Sequence, residues 1–176
     1  MLKQTFTGLL SKYTNDKGLI TDLWNEIEQN YSKKDRFYHS LTHLENLLQS
    51  VNEIKELIED YDTLLFTLFY HDIIYDSLKS DNEKQSSKIA EKRLKQLSIP
   101  IYKIEKCKAQ ILATKSHDLS SDEDTNYFTD TDLSILGQSW DVYSTYSQNV
   151  RKEYSIYPDF MYNSGRKKVK ALFSNG

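Results

Sequence analysis

Between positions 64 and 76 the chain reads LLFTLFYHDIIYD. Nearly every position is apolar or aromatic, so a helix here has no face to offer water and belongs at the centre of a packed array. The run is too short to span a bilayer. Inside it His71 and Asp72 stand side by side, and burying such an ionisable pair costs several kcal/mol unless a partner offsets it. Whatever offsets it decides what the chain does.

The flanking sequence predicts more helices. The 176 residues include only 5 Gly and 2 Pro, fewer turn residues than sandwiches, barrels or dinucleotide-binding folds need. Neither G-x-G-x-x-G nor G-x-x-x-x-G-K-[ST] occurs, which removes dinucleotide and P-loop readings. A helix is expected from about Ile20 to Tyr31, and KKDRFYHS breaks it. Leu44, Leu47, Leu48, Val51, Ile54, Leu57 and Ile58 then recur at helical spacing and predict one amphipathic helix from Leu41 onward. Asp60 or Asp62 would cap the central helix, whose Leu64, Leu68, His71, Asp72 and Tyr75 share a face. Asp81 opens another helix, which ends before Pro100, and IYKIEKCKAQILATKSH follows as the next. DLSSDEDTN reads as a polar loop. TDTDLSILG, SWDVYSTYSQNVRKEYS and DFMYNSGRKKVKALF complete an all-α array. No repeat, low-complexity tract or linker divides it, so residues 1–176 are expected to form a single domain.

With 23 Lys plus Arg against 26 Asp plus Glu and a pI near 5.8, the charge balance argues against a nucleic acid polymer as partner. Cys107 is the single cysteine, so neither a disulfide framework nor a cysteine zinc site is expected. The N-terminus lacks the pattern of a signal peptide, and no window suits a membrane. The expected location is cytoplasmic, and a homo-oligomer is compatible with everything above.

The chemistry concentrates in 4 histidines, His39, His43, His71 and His117. His43 lies on the stripe of Leu47, Val51 and Ile54; His71 lies on that of Leu64 and Leu68. On consecutive antiparallel helices these two imidazoles would meet. Asp72 adds a carboxylate, and Asp130 or Asp132 in FTDTDL offers another. Two positions apart on a helix, Asp130 and Asp132 cannot both face one site, and one of them is expected to cap its helix. Imidazoles with carboxylates suit one divalent transition metal ion of the series Mn, Fe, Co, Ni or Zn. Such a cation would satisfy the buried carboxylates and fix the imidazole tautomers.

His43, the His71-Asp72 pair and Asp132 together resemble the ordered His, His-Asp, Asp signature of the HD superfamily of metal-dependent phosphohydrolases. More narrowly, RFYHSLTHL from Arg36, FYHDIIYD from Phe69, DNEKQSS from Asp81, TKSH from Thr114 and DTDLSILG from Asp130 are similar to an uncharacterised bacterial branch of it. The likeness runs from about Arg36 to Arg166. It implies an HD-domain-like helical array with the metal between core helices, and His43, His71, Asp72 and Asp132 as ligands. The implied activity is hydrolysis of a small phosphate ester, a nucleotide or phosphorylated metabolite, by a metal-activated water. Arg36, His39, Lys115 and His117 are the candidates for contacting the substrate.

Two positions depart from the family pattern. Many of its hydrolases carry a glutamate three residues after the paired Asp, where this chain has Tyr75; Asp76 or Glu83 would then have to orient the attacking water. A further helical segment is also expected after GRKKVKALF. The departure at Tyr75 keeps open a catalytically silent, nucleotide-binding HD module. His39 and His117 as extra ligands would instead suit an HD-fold oxygenase with two irons. The 13 tyrosines read as packing residues with hydroxyls at the rim, and Cys107 as a small buried residue.

Overall fold

A computed structural model describes residues 1–164. Arg166 and the rest of the last expected helix from 165 onward lie outside the described residues. The fold is all-α: α1 (Leu2–Leu10), α2 (Lys17–Tyr31), α3 (Leu41–Glu53), α4 (Tyr61–Tyr70), α5 (Asn82–Gln96), α6 (Ile101–Ala113), α7 (Glu123–Leu133) and α8 (Trp140–Glu153). Short 3-10 turns follow α3 (Lys55–Leu57) and α7 (Ser134–Gly137), and residues 159–164 are again helical. No strand occurs among the described residues.

Helix α4 is the axle. Every residue from Thr63 to Tyr70 is buried, and the helix touches α1, α3, α5, α6 and α7. That is the arrangement demanded by a segment apolar on all sides. Phe6 of α1, absent from the sequence reading as a helix, packs edge-on against Phe69 at 4.8 Å. Asp60, not Asp62, caps α4. Its Oδ1 accepts from Thr63 N at 3.2 Å and its Oδ2 from Thr63 Oγ1 at 2.7 Å. Asp62 is instead paired with Lys12 at 2.6 Å.

Three expectations are corrected. The α3 stripe does not continue to Ile58, because the helix ends at Glu53 and Leu57 is 61% exposed. Apolar spacing alone cannot mark a stop that the chain makes in order to turn into α4. His71 and Asp72 lie past the body of α4, with His71 at its C-cap, so they do not form a helix face with Tyr75. Within DLSSDEDTN, α7 already begins at Glu123, with Asp122 Oδ2 accepting from Thr125 N at 3.0 Å. Neither Asp130 nor Asp132 is therefore a cap.

The segment after α4 is held by side chains from elsewhere. Helix ends leave carbonyls without partners, and buried Arg36 donates to Asp72 O at 2.7 Å, Ile73 O at 2.9 Å and His39 O at 3.2 Å. Tyr31 Oη accepts from Asp72 N at 3.1 Å. Ser86 Oγ accepts from Ile74 N and donates to Ile74 O. Asn82 spans Asp76, accepting from its N–H and donating to its carbonyl. The blocks beginning at Arg36 and Asp81 thus contain the clamps that deliver His71 and Asp72.

Candidate metal centre

Three elements bring the histidines and carboxylates together: the first turn of α3 carries His43, the end of α4 carries His71 and Asp72, and α7 carries Asp132. The Nε2 atoms of His43 and His71 are 3.3 Å apart. Asp132 Oδ1 lies 3.3 Å from His43 Nε2 and 3.9 Å from His71 Nε2. Asp72 Oδ2 lies 3.3 Å from His71 Nε2. The donor atoms of His43, His71 and Asp132 are all within 4.8 Å of one another. Asp72 sits outside that mutual set, at its edge.

These separations suit a single cation. Donors about 2.1 Å from one ion stand roughly 3.0 Å apart at a right angle and roughly 3.4 Å apart at the tetrahedral angle. The tautomers fit as well. His71 Nδ1 lies 2.9 Å from the Leu68 carbonyl and donates to it, which turns the Nε2 lone pair to the centre, as ligand histidines are commonly held. Phe128 stands edge-on to the His71 ring at 5.5 Å and fixes its plane.

The electrostatics call for positive charge. Burial alone would raise the Asp72 carboxyl, but His71 beside it holds it well below the usual carboxylate range. Asp132 is likewise held far down against the effect of burial, chiefly by hydrogen bonds from His117 and His43. Burial lowers His43. Burial also opposes charge on His71, yet the Asp72 carboxylate outweighs it and raises that imidazole. Two anions therefore share the site with imidazoles that compete for a proton, a demand that a divalent ion meets more fully.

The remaining expected residues divide. His39 and His117 join the centre from opposite sides: His39 Nε2 is 3.8 Å from Asp72 Oδ2, and His117 Nε2 is 3.1 Å from Asp132 Oδ2. His117 adopts a positive φ of 55° just past α6, a conformation common at helix ends. Lys115 and Glu83 line a cavity of about 1250 Å³ that opens from Asp72, Asp132 and His117. Lys115 donates to the Ser80 carbonyl. Asp76 is not among the residues lining that cavity; its Oδ1 accepts from Leu78 N at 2.9 Å, closing a turn. Arg36 is 6% exposed with its guanidinium on three carbonyls, which makes it a positioning residue. Asp130 is exposed on the far face of α7.

Sequence reading missed Glu153. From α8 it accepts from Tyr38 N at 2.7 Å, His39 N at 2.9 Å and His39 Nδ1 at 2.7 Å. With Tyr75 stacked on the His39 ring at 4.0 Å, it fixes where His39 Nε2 points. Burial opposes the Glu153 charge, but the His39 hydrogen bond holds its pKa below the ordinary value. Its spacing from His39 in sequence carries no signal of the pairing. Tyr75 is part of this support and of the cavity wall.

Comparison with known proteins finds no family model, no curated protein and no solved structure that matches the chain.

Proposed function

We propose that this protein is a metal-dependent phosphohydrolase of the HD type acting on a small phosphate ester. The observation that carries the reading is the convergence of His43, His71 and Asp132, with Asp72 at the edge, where Asp72 and Asp132 reach the wall of a large cavity. The single cysteine, Cys107, is buried and does not line that cavity.

When bound at these four residues, a divalent ion supplies Lewis-acid activation of water and of a phosphoryl oxygen. The chain's own residues do the rest. Asp72 and Asp132 hold the cation by charge, and the Leu68 carbonyl keeps His71 in the ligand tautomer. Among the described residues, Lys79 and Lys115 are the lysines on the cavity wall and draw in the phosphate. His39 Nε2, aimed by Glu153, stands beside Asp72 where it can take up or return a proton. Tyrosines 38, 75, 143, 146, 154 and 157 form much of the remaining wall and shield the site from bulk water.

The test is metal analysis followed by assay of Mn-, Co- and Ni-loaded protein on a panel of phosphate esters. About one ion per chain and turnover that disappears in His71→Ala support the reading. Absence of turnover, with a nucleotide raising the melting temperature, would replace it with the silent binding module. A second reading, an oxygenase with two irons, draws on His117 at the outer oxygen of Asp132 and on His39 near the Asp72 oxygen that also faces His71. Two redox-active irons per chain after anaerobic purification would favour it.

A further inference from the structure

Two cavities reach the histidine–aspartate centre, and their chemistry differs. The large one mixes Lys79 and Lys115 with Asp72, Glu83, Asp118 and Asp132, beside the tyrosine wall. A second, of about 350 Å³, runs along α3 and the 3-10 turn after α7 and ends on His43 and Asp132. Its wall is polar: Asn46, Gln49, Ser50, Glu53, Ser134 and Gln138. Tyr38 lines both cavities, its ring 4.8 Å from that of His43.

Among the described residues, no lysine or arginine lines the smaller cavity, and its carboxylates are Glu53 at the outer part of α3 and Asp132 at the floor. A phosphate-bearing molecule is repelled there, whereas a cation is attracted. Amide and hydroxyl oxygens along the way suit a hard ion that exchanges its waters stepwise. We propose that the smaller cavity is the route by which the divalent cation reaches His43 and Asp132, separate from the cavity that takes the substrate. This inference rests on the metal-centre reading above. It means that cation exchange does not require the substrate cavity to be vacated.

A route is a barrier and not a binding well, so narrowing it slows entry and exit by the same factor and leaves the equilibrium constant alone. The experiment uses the full chain, stripped by chelation and mixed rapidly with Co²⁺ alone, with uptake followed by visible absorption and release by chelator challenge. Ser50→Trp on α3 and Gln138→Trp on the facing wall narrow the cavity without touching a ligand; circular dichroism checks that each folds. Both are expected to slow association and dissociation about tenfold while stoichiometry and Kd stay at the wild-type values. Glu53→Gln is expected to slow association roughly threefold at low ionic strength and not at high. Wild-type rates in both tryptophan variants would overturn the route while leaving the metal centre standing. Failure of the unaltered chain to take up Co²⁺ would overturn the metal reading itself, and the route with it.

Discussion

The two ends of α4 both bury carboxylates, and they do it in opposite ways. At the N-terminal end Asp124 is 2% exposed, accepts from Glu59 N and Asp60 N at 2.8 and 2.9 Å, and pairs with Lys106 at 2.8 Å. Asp60 next to it pairs with Lys103 at 2.7 Å. Each charge there meets a lysine or a backbone N–H, so the network is closed. At the C-terminal end the ion partners of Asp72 and Asp132, among the described residues, are imidazoles alone. Arg36 is close by but is committed to backbone carbonyls. One end is a finished structural joint, and the other leaves its two carboxylates to imidazoles. On the proposed function, that asymmetry separates a carboxylate that holds the fold from one that does chemistry, a distinction burial alone does not make.

The sharpest way to break the comparison is to remove one acid from each end. Asp132→Ala should cost phosphate-ester turnover about 10³-fold or more, roughly 4 kcal/mol of transition-state stabilisation. It should also lower the metal-free protein's unfolding midpoint, because His117 and His43 hold the Asp132 carboxylate charged in the fold. Asp124→Ala should cost stability without costing metal. Stranding Lys106 and two backbone donors costs about 3 kcal/mol of unfolding free energy, while metal stoichiometry stays unchanged. If metal analysis shows equal losses of bound ion for both variants, the two ends are alike and the distinction fails.

Ligand linkage sharpens it further. Metal at a hundredfold excess over Kd should stabilise the native state by about 2.7 kcal/mol, and chelator should reverse this. In Asp72→Asn that increment should shrink, whereas in Lys103→Met it should persist; calorimetric scans with and without Mn²⁺ decide. Glu153 predicts a pH effect of about 1 kcal/mol. Its pKa in the fold is below the ordinary 4.5, so its contribution is complete above that value and is lost as pH falls through the folded value. Glu153→Gln should flatten the acid limb of the stability curve below pH 4.5; an unchanged limb would deny Glu153 its role in holding His39. The smallest effect concerns Ser98 and His117, the two positive-φ residues among the described ones, both at 55°. Ser98→Gly should gain about 0.5 kcal/mol by relieving that backbone, whereas His117→Gly should gain similar backbone relief yet weaken the centre, which metal titration would register.

Much of this was legible beforehand. The apolar run predicted the central helix, and the residue types at 43, 71 and 72 predicted where charge would gather; only the family resemblance selects Asp132 over Asp130. Arg36 was misassigned because an arginine in a motif does not reveal whether its partners are phosphates or carbonyls. Glu153 was invisible because its partner His39 lies in a different part of the chain, and helix α8 has an ordinary amphipathic pattern. Asp76 and Glu83 differ by only seven positions, yet a turn closes on one and the cavity opens on the other.

Local interactions decide what a short window decides: helix type, capping by Asp60 and Asp122, and the need to bury residues 63–70. The sequence by itself therefore determined an all-α core with a compensated His-Asp pair. Tertiary structure alone decided which acids were neutralised by lysines and which were left to imidazoles, because that depends on where α6, α7 and α8 bring Lys103, Lys106 and Glu153 against α4 and its neighbours. Distances of a few ångströms between residues tens of positions apart set those balances, and no local pattern encodes them.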